Sequence, residues 1–244
     1  MEIKVVNLTK RFKNNLALDS ISFDIKGKGI IGYLGPNGAG KTTTLKILSN
    51  LVRADYGEAF INGINIKNYK IALKYVSALI DEPEPYDEMT IYEFLEFIGK
   101  LREMDKMLIE KRIKKLVNEL NLENINKKCG QLSKGNRQRV VLAAVLLPDT
   151  DILLLDEPTS GLDPAETYDI KKLLKKLKKT KLIILSSHLL NEIKELCDYV
   201  ILLDKGKVIA QGSVKSIIKK FGSGKGEKGL EMAYINLVRG KHEK

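Results

Sequence analysis

The stretch GIIGYLGPNGAGKTTTLKIL, residues 29–48, joins an apolar run to a glycine-rich turn and a helical pattern. The first six residues do not alternate between polar and apolar, which is typical of a strand buried on both faces. The turn fits the pattern G-x-x-x-x-G-K-[ST] without a mismatch, and a helix is predicted from Lys41 onward. A buried strand, this turn and a helix in that order predict an α/β core around a phosphate-binding loop.

The residue types of the turn suit a nucleotide phosphate. Gly35, Gly38 and Gly40 let the backbone curl so that successive N–H groups point inward. Lys41 would supply a positive charge to the β- and γ-phosphates, and Thr42 would supply a hydroxyl to Mg²⁺. The helix that follows adds the favourable potential of its N-terminus. An ordinary strand–loop–helix turn is the alternative. The remaining residues of the predicted nucleotide-binding loop are Pro36, Asn37, Ala39 and Thr43.

A second buried strand, DILLLDEP at residues 151–158, ends in two carboxylates. A buried acid is costly unless it meets a cation or hydrogen-bond donors, so Asp156 is predicted to hold Mg²⁺ directly or through water. Glu157 follows it and is expected to polarise a water that attacks the γ-phosphate. The alternative is that both acids cap the strand and pair with a lysine. The phosphate loop favours the metal site.

Just upstream, the stretch LSKGNRQRVVLAAVLL at residues 132–147 begins as a polar turn and continues as a helix. A serine hydroxyl and a glycine N–H at a helix N-terminus are suited to an anion. An ordinary helix cap by Ser133 is the alternative. The residues of this turn are Ser133, Lys134, Gly135 and Asn136.

The predicted secondary structure changes along the chain. Before about residue 86 and after residue 150 it reads mainly as strands and α/β units, whereas residues 86–147 carry a helical period that opens with a capping box at Thr90 and Glu93. We therefore predict one domain over residues 1–244, with a helical subdomain inserted at about 86–147 and a C-terminal tail at about 213–244. Within that tail, a helix capped by Ser213 comes first, residues 222–229 have the composition of a flexible linker, and residues 230–238 read as a short amphipathic segment. Elsewhere the patterns predict a strand over residues 3–12 and helices over residues 41–51 and from about 166 to 179.

Bulk composition excludes several classes. The chain has 244 residues, which is long enough for a sizeable α/β core. Of these residues 43% are hydrophobic, and this fraction argues against disorder. It has no run of about 18 apolar residues and no secretory signal pattern. Cys129 and Cys197 lie far apart and outside metal-ligand spacing, which favours a reduced cytosolic protein.

The formal net charge of +11 is spread along the chain. In its densest run, residues 170–181, apolar residues recur at helical spacing, which is typical of an amphipathic helix with a solvated lysine face. A contact with lipid or nucleic acid is the alternative for this run. We expect no nucleic-acid partner.

In their order and spacing, these motifs resemble the nucleotide-binding subunit of an ATP-binding cassette (ABC) transporter over nearly the full chain. GPNGAGKT resembles the Walker A motif, ILLLDE the Walker B motif and LSKGNRQR the signature loop. SGLD at residues 160–163 resembles the D-loop, which ends at Asp163. The resemblance implies a P-loop NTPase core with a mostly parallel sheet, an N-terminal antiparallel β subdomain, the inserted helical subdomain, and ATP and Mg²⁺ as cofactors.

The resemblance also implies roles for individual residues. Two subunits would sandwich ATP head to tail, so that the signature loop of one caps the γ-phosphate held by Walker A of the other. His188 sits where the switch histidine contacts the γ-phosphate, although a hydrogen-bonded surface histidine is the alternative. Phe12 lies where an aromatic stacks on adenine, although a phenylalanine in an edge strand commonly belongs to the core.

One position departs from the family pattern. After the predicted strand YVSALI the family usually has a glutamine, and this chain has Asp81 followed by Glu82. A carboxylate still offers an oxygen to Mg²⁺, but its charge near the γ-phosphate would change affinity and switching. Acids in this loop resemble bacitracin- and lantibiotic-type exporter ATPases. The tail LEMAYINLV resembles the wider multidrug and ABC-2-type group.

The resemblance implies an ATPase that works by dimer closure and drives a separate integral membrane permease, with export as the favoured direction. Its catalytic residues would be Glu157, Lys41 and His188, and it would lie in the cytoplasm, peripherally on the cell membrane. A soluble ABC ATPase that acts on ribosomes, DNA repair or cluster assembly is a second class, although the chain lacks tandem cassettes and long coiled coils. A nucleotide-gated regulator that does not hydrolyse ATP is a third, which Asp81 keeps open.

Overall fold

The computed structural model describes residues 1–222 and 229–239, so most of the predicted linker at 222–229 lies outside the described residues. The strands are β1 (Glu2–Phe12), β2 (Asn15–Lys26), β3 (Gly29–Leu34), β4 (Tyr56–Ile61), β5 (Ile64–Asn65), β6 (Val76–Leu79), β7 (Ile152–Asp156), β8 (Leu182–Ser187), β9 (Tyr199–Asp204) and β10 (Lys207–Ser213). The helices are α1 (Lys41–Leu48), α2 (Tyr69–Ala72), α3 (Ile91–Leu101), α4 (Lys106–Glu119), α5 (Lys134–Leu146), α6 (Pro164–Leu177), α7 (Leu190–Leu196), α8 (Val214–Phe221) and α9 (Gly229–Arg239).

In the described part of the chain, six strands form a mostly parallel sheet in the order β10-β9-β3-β8-β7-β6. The pairs from β9 to β6 are parallel, and β10 is added antiparallel at one edge. Every residue of β3, β7 and β8 is buried, as their apolar runs predict. This sheet confirms the predicted α/β core. It also brings the carboxyl ends of β3, β7 and β8 to one edge.

The N-terminal strands form a separate antiparallel sheet in the order β2-β1-β4-β5, which confirms the predicted antiparallel region. Its inner side chains share a core with α1 and one face of the parallel sheet. Tyr33 of β3 is fully buried there, and its hydroxyl donates to Thr44 Oγ1 at 3.0 Å. The two sheets therefore hold α1, and with it the phosphate-type loop, between them.

Three helices, α3, α4 and α5, separate β6 from β7, in the region of residues 86–147 where helices were predicted. The predicted capping box is present: the Thr90 hydroxyl accepts from the Glu93 N–H, and the Glu93 carboxylate accepts from the Thr90 N–H. Arg112 of α4 donates to the carbonyl oxygens of Leu146 and Leu147 at 2.6 and 3.1 Å. These two bonds satisfy carbonyl oxygens at the C-terminal end of α5 that have no partner within the helix, and they fix α4 to α5.

Two predicted helix boundaries differ from the structure. The helix expected from about residue 166 begins at Pro164, because Asp163 and Glu166 form a second capping box that starts the helix earlier. The helix expected over residues 41–51 ends at Leu48, since Asn50 adopts a left-handed backbone conformation with φ 58°.

The chain closes with α8 and α9, which pack on each other. Ser213 caps α8 by accepting from the Ser216 N–H, as predicted. Leu230 and Ala233 of α9 are buried, which agrees with the predicted amphipathic tail. Among the described residues, none of the helices has the length and apolar character needed to cross a bilayer.

Candidate functional site

The glycine-rich turn between β3 and α1 holds a buried lysine. Lys41 is 6% exposed, and its Nζ donates to the carbonyl oxygens of Gly35 and Pro36 at 2.8 and 3.2 Å. Burial lowers the pKa of the Lys41 ammonium, and the negative charges of Glu157 and Asp156 partly offset this effect. The ammonium is therefore held inside the turn, close to the carboxylates of Asp156 and Glu157 at the end of β7.

Gly40 is required by the shape of the turn. Its φ is 103°, in the region that favours glycine, and a Cβ there would lie 2.6 Å from the carbonyl oxygen of Ala17. The turn thus packs against β2 so closely that a side chain has no room at this position. The remaining residues of the predicted nucleotide-binding loop occupy the same turn and the start of α1: Pro36, Asn37, Gly38, Ala39, Thr42 and Thr43.

Asp156, at the end of β7, is surrounded by hydroxyl groups. Its Oδ2 accepts from Thr42 Oγ1 at 2.7 Å, and its Oδ1 accepts from the hydroxyl of Ser186 on β8. The side chain is 6% exposed, and no lysine or arginine of residues 1–222 and 229–239 forms an ion pair with it. The alternative of a lysine partner is therefore not observed, and the oxygen-only surroundings fit a hard cation such as Mg²⁺.

Glu157 and His188 lie together at the carboxyl ends of the adjacent strands β7 and β8. His188 Nδ1 is 2.9 Å from Glu157 Oε2. The backbone of Glu157 is left-handed, with φ 44°, and its N–H bonds both the carbonyl oxygen and the hydroxyl of Ser186 at 3.1 Å. The alternative in which Glu157 pairs with a lysine is not observed in the described chain; its partner is the histidine.

The signature-like turn caps α5 within the chain. Ser133 Oγ accepts from the Asn136 N–H at 3.3 Å, so the ordinary capping interaction is present. Gly135 is buried directly against Glu166, and the Nζ of Lys134 lies over Gly161. Because Glu166 belongs to the capping box of Asp163, the signature-like turn and the predicted D-loop lie side by side.

Asp81 is held beside the helix that follows the phosphate-type turn. Its carboxylate forms an ion pair with Lys46 of α1 at 2.8 Å, and its backbone φ is 61°. It lines a cavity of about 450 Å³ together with Glu157, Gln138 and Lys134. The unusual acid therefore shares a cavity with the predicted catalytic glutamate, although its predicted contact with Mg²⁺ stays a prediction.

Phe12 is neither in an edge strand nor in the core, which corrects the alternative raised from its sequence position. β1 lies between β2 and β4, and Phe12 ends the strand with 44% of its surface exposed. The Nζ of Lys10 stands 5.2 Å from the centre of its ring. The ring lies outside the sheet packing, because it follows the last core residue of β1, and its exposed part can meet a stacking partner.

Three residues that lie in this region of the structure were not predicted from the sequence. Ser186 touches both Asp156 and Glu157, and Glu192 of α7 accepts hydrogen bonds from two loops of the site. Arg137, the fourth residue of α5, pairs with Glu84 and Asp87 of the loop after β6. The contacts of Ser186 with Asp156 and of Arg137 with Glu84 join residues that are 30 and 53 positions apart, so no local pattern signalled them.

Comparison with known proteins gives consistent matches. The ABC transporter family profile matches residues 18–160. The chain is 38% identical over 217 residues to the uncharacterized ABC transporter ATP-binding protein YhcH of Bacillus subtilis, covering 87% of this chain and 70% of that protein. It is 32% identical over 249 residues to the ABC transporter ATP-binding protein NatA of Bacillus subtilis, covering 98% of this chain and 99% of that protein.

Solved structures agree with the sequence comparison. An ATP-binding subunit of an ABC transporter superposes with a TM-score of 0.87 at 26% identity, covering 98% of this chain and all of that one (100%). The ATP-binding cassette MJ0796, in a dimeric post-hydrolysis state bound to ADP and Pi, superposes with a TM-score of 0.79 at 28% identity. That match covers 87% of this chain and 98% of the cassette.

Proposed function

The chain belongs to the ABC transporter family and is an ATP-binding cassette ATPase, and we propose that it powers a separate integral membrane permease that works as an exporter. In this proposal two cassettes close over ATP, and hydrolysis reopens them. The similarity to ABC transporter ATP-binding proteins and to a dimeric cassette supports this function.

Residues of the phosphate-type turn bind the nucleotide in this proposal. The N–H groups of residues 35–43 and the Lys41 ammonium hold the β- and γ-phosphates, and Phe12 stacks on adenine. The proposal is supported by the buried ammonium inside the turn and the exposed ring at the end of β1. One domain carries these parts, with residues 86–147 as its helical subdomain.

Thr42, Asp156 and Asp81 are the proposed Mg²⁺ ligands, directly or through water. The oxygen-only surroundings of Asp156 support the first two. When bound, the ion neutralises charge on the phosphate oxygens. Glu157 orients the attacking water, and His188 positions that carboxylate and contacts the γ-phosphate.

The proposed dimer uses the partner-facing loops. Ser133, Lys134, Gly135 and Asn136 cap the γ-phosphate held by the other subunit, and Asp163 lies beside them in the D-loop. The side-by-side position of these two loops supports a shared interface. The pair of cassettes works at the cytoplasmic face of the membrane, peripherally on the permease.

The observation that carries this proposal is the contact between Glu157 and His188 beside the hydroxyl-bound Asp156. It is tested with the Glu157→Gln variant, which should bind ATP, hydrolyse it very slowly and accumulate as a closed dimer by light scattering with Mg-ATP. A variant that stays monomeric contradicts the sandwich.

The permease is tested by co-purification. The tagged Glu157→Gln chain is expressed in its native cell, solubilised gently with Mg-ATP, and its bound proteins are identified by mass spectrometry. A stoichiometric polytopic membrane protein supports the transporter function. Ribosomal or DNA-repair proteins without a membrane protein support the soluble ATPase instead.

A further inference from the structure

Glu192 is a buried acid that bonds two separate loops of the site. It lies on α7 and is 3% exposed. Its Oε1 accepts from Thr159 Oγ1 at 2.6 Å, and its Oε2 accepts from Ser187 Oγ at 2.9 Å. The two hydroxyls therefore compensate most of the cost of burying this carboxylate.

Each hydroxyl belongs to a loop with a proposed role. Thr159 stands two residues after Glu157 and leads into the D-loop. Ser187 immediately precedes His188, and its Oγ also accepts from the Leu189 N–H at 3.0 Å. The Ser187 hydroxyl thus joins the backbone on the far side of the histidine to the Glu192 carboxylate.

The fold makes Glu192 the connection between these loops. One carboxylate oxygen accepts from each hydroxyl, so a single side chain is bonded to both segments. α7 itself packs on the parallel sheet, with Ile193 and Leu196 buried beside Glu192. The acid is therefore anchored on a fixed support while it bonds two loops at the edge of the site.

We propose that Glu192 is a positioning residue for ATP hydrolysis, which couples the D-loop segment at Thr159 to the loop that carries His188. This inference rests on the proposed function. When the partner subunit contacts the D-loop and displaces Thr159, Glu192 transmits that displacement to Ser187. This connection holds His188 at hydrogen-bond distance from Glu157. Glu192 is buried, and its hydrogen bonds go to Thr159 and Ser187 and not to the phosphate-type turn, so in this proposal it acts through the histidine.

The test compares Glu192→Ala and Glu192→Gln with wild type in single-turnover hydrolysis and in ATP binding. Glu192→Ala should keep its ATP affinity, since the phosphate-type turn makes no contact with it, and should hydrolyse ATP about 10- to 100-fold more slowly, as expected for a misplaced catalytic group. Glu192→Gln should retain more activity, because its amide oxygen still accepts from one hydroxyl and its amide N–H₂ donates to the other.

Two controls separate positioning from a general structural effect. Glu195→Gln changes the same residue type on the same helix, where the acid is exposed and pairs with Lys171 and Lys175, and should hydrolyse ATP as wild type does. In a His188→Ala background, Glu192→Ala should slow hydrolysis no further, because the group through which it acts is already gone. Thr159→Val and Ser187→Ala should each reproduce part of the loss.

The outcomes distinguish this inference from the proposed function. If wild type fails to hydrolyse ATP and Glu157→Gln fails to dimerise, the proposed function is wrong whatever Glu192 does. If wild type hydrolyses ATP and His188→Ala is slow, but Glu192→Ala is as active as wild type, only the inference is overturned. An equal loss from Glu192→Ala with and without His188 also overturns it, since that result describes a structural residue.

Discussion

His188 Nδ1 and Glu157 Oε2 lie 2.9 Å apart, although 31 residues separate them in the chain. The contact exists because β7 and β8 are parallel neighbours and end at the same edge of the sheet. The backbone of Glu157 beside this contact is left-handed, with φ 44°. A non-glycine residue in this conformation stores strain, which is frequent at functional sites.

This strain predicts an unusual order of stability among variants of Glu157. Glu157→Ala and Glu157→Gly both remove the carboxylate, and both should lose hydrolysis. Glu157→Gly should be more stable by ~0.5–1 kcal/mol, because glycine adopts the left-handed conformation without a steric penalty. Urea unfolding of the two variants measures the difference. An alanine variant as stable as the glycine variant would show that this backbone carries no strain.

Gly135 predicts a pair of compensating substitutions. An alanine Cβ would lie 1.7 Å from Glu166 Oε1 and 2.2 Å from its Cδ, so Gly135→Ala should force Glu166 out of its capping box with Asp163. The loss of the hydrogen bond from the Asp163 N–H to the Glu166 carboxylate should lower the free energy of unfolding by ~1 kcal/mol. In a Glu166→Ala background the same change should stabilise the chain by up to ~1 kcal/mol, since alanine is the better helix former.

Urea unfolding of the two single variants and the double variant tests this interpretation. A destabilisation by Gly135→Ala that persists without the Glu166 carboxylate would mean that the glycine is needed for another reason. Gly63→Ala is a contrasting control, because its φ of 77° strains any side chain while no atom lies within 4 Å of the added Cβ, so its cost should be the same with and without the Glu166 carboxylate.

The parts of the site that depend on consecutive residues were predictable. The phosphate-type turn occupies nine neighbouring positions, and its strand and helix follow from local pattern. Ser186 and Glu192 were missed because their partners stand 30 and 33 positions away, and a contact at that separation depends on which strands are neighbours. Strand order is set by packing of whole elements, so no local pattern reports it.

The same reason explains the error about β1. Alternation over residues 3–12 correctly predicts a strand, but whether that strand lies at an edge depends on β4, about 50 residues later in the chain. The start of α6 is a different kind of error. Its capping box can be read from the sequence, because Glu166 follows Asp163 by three positions. The signal was therefore present and was not used.

Asp149 predicts a pH-dependent contribution to stability. It accepts from Lys181 Nζ at 2.8 Å and from Arg112 Nη1 at 2.7 Å, which joins β8 to α4. Burial alone would raise the pKa of Asp149, but the hydrogen bond and charge of Lys181 and the charge of Arg112 outweigh it and lower that pKa. Its contribution is therefore full above the unfolded-state pKa of about 4 and declines as the pH falls below it.

Asp149→Asn tests this contribution without adding backbone strain, because asparagine tolerates the left-handed conformation that Asp149 adopts. The variant should unfold at lower urea concentration than wild type at pH 7, and the difference should shrink as the pH falls below about 4. Asp151→Asn, a change at an exposed acid two residues away, should show a much smaller difference at pH 7. A gap between Asp149→Asn and wild type that is constant with pH would contradict the ion-pair account.

The exposed ring of Phe12 predicts a loss of affinity that depends on the base of the nucleotide. If the ring stacks on adenine, Phe12→Ala should weaken ATP binding by ~1–3 kcal/mol, which is about 5- to 150-fold in Kd. Affinity for inorganic tripolyphosphate, which carries no base, should stay the same, because the phosphate-type turn is unaltered. Tyr69→Ala, at an aromatic of nearly equal exposure (45% against 44% for Phe12), should leave both affinities unchanged. Equilibrium binding in the Glu157→Gln background measures all four values without hydrolysis, and an equal loss for ATP and tripolyphosphate would remove Phe12 from the adenine site.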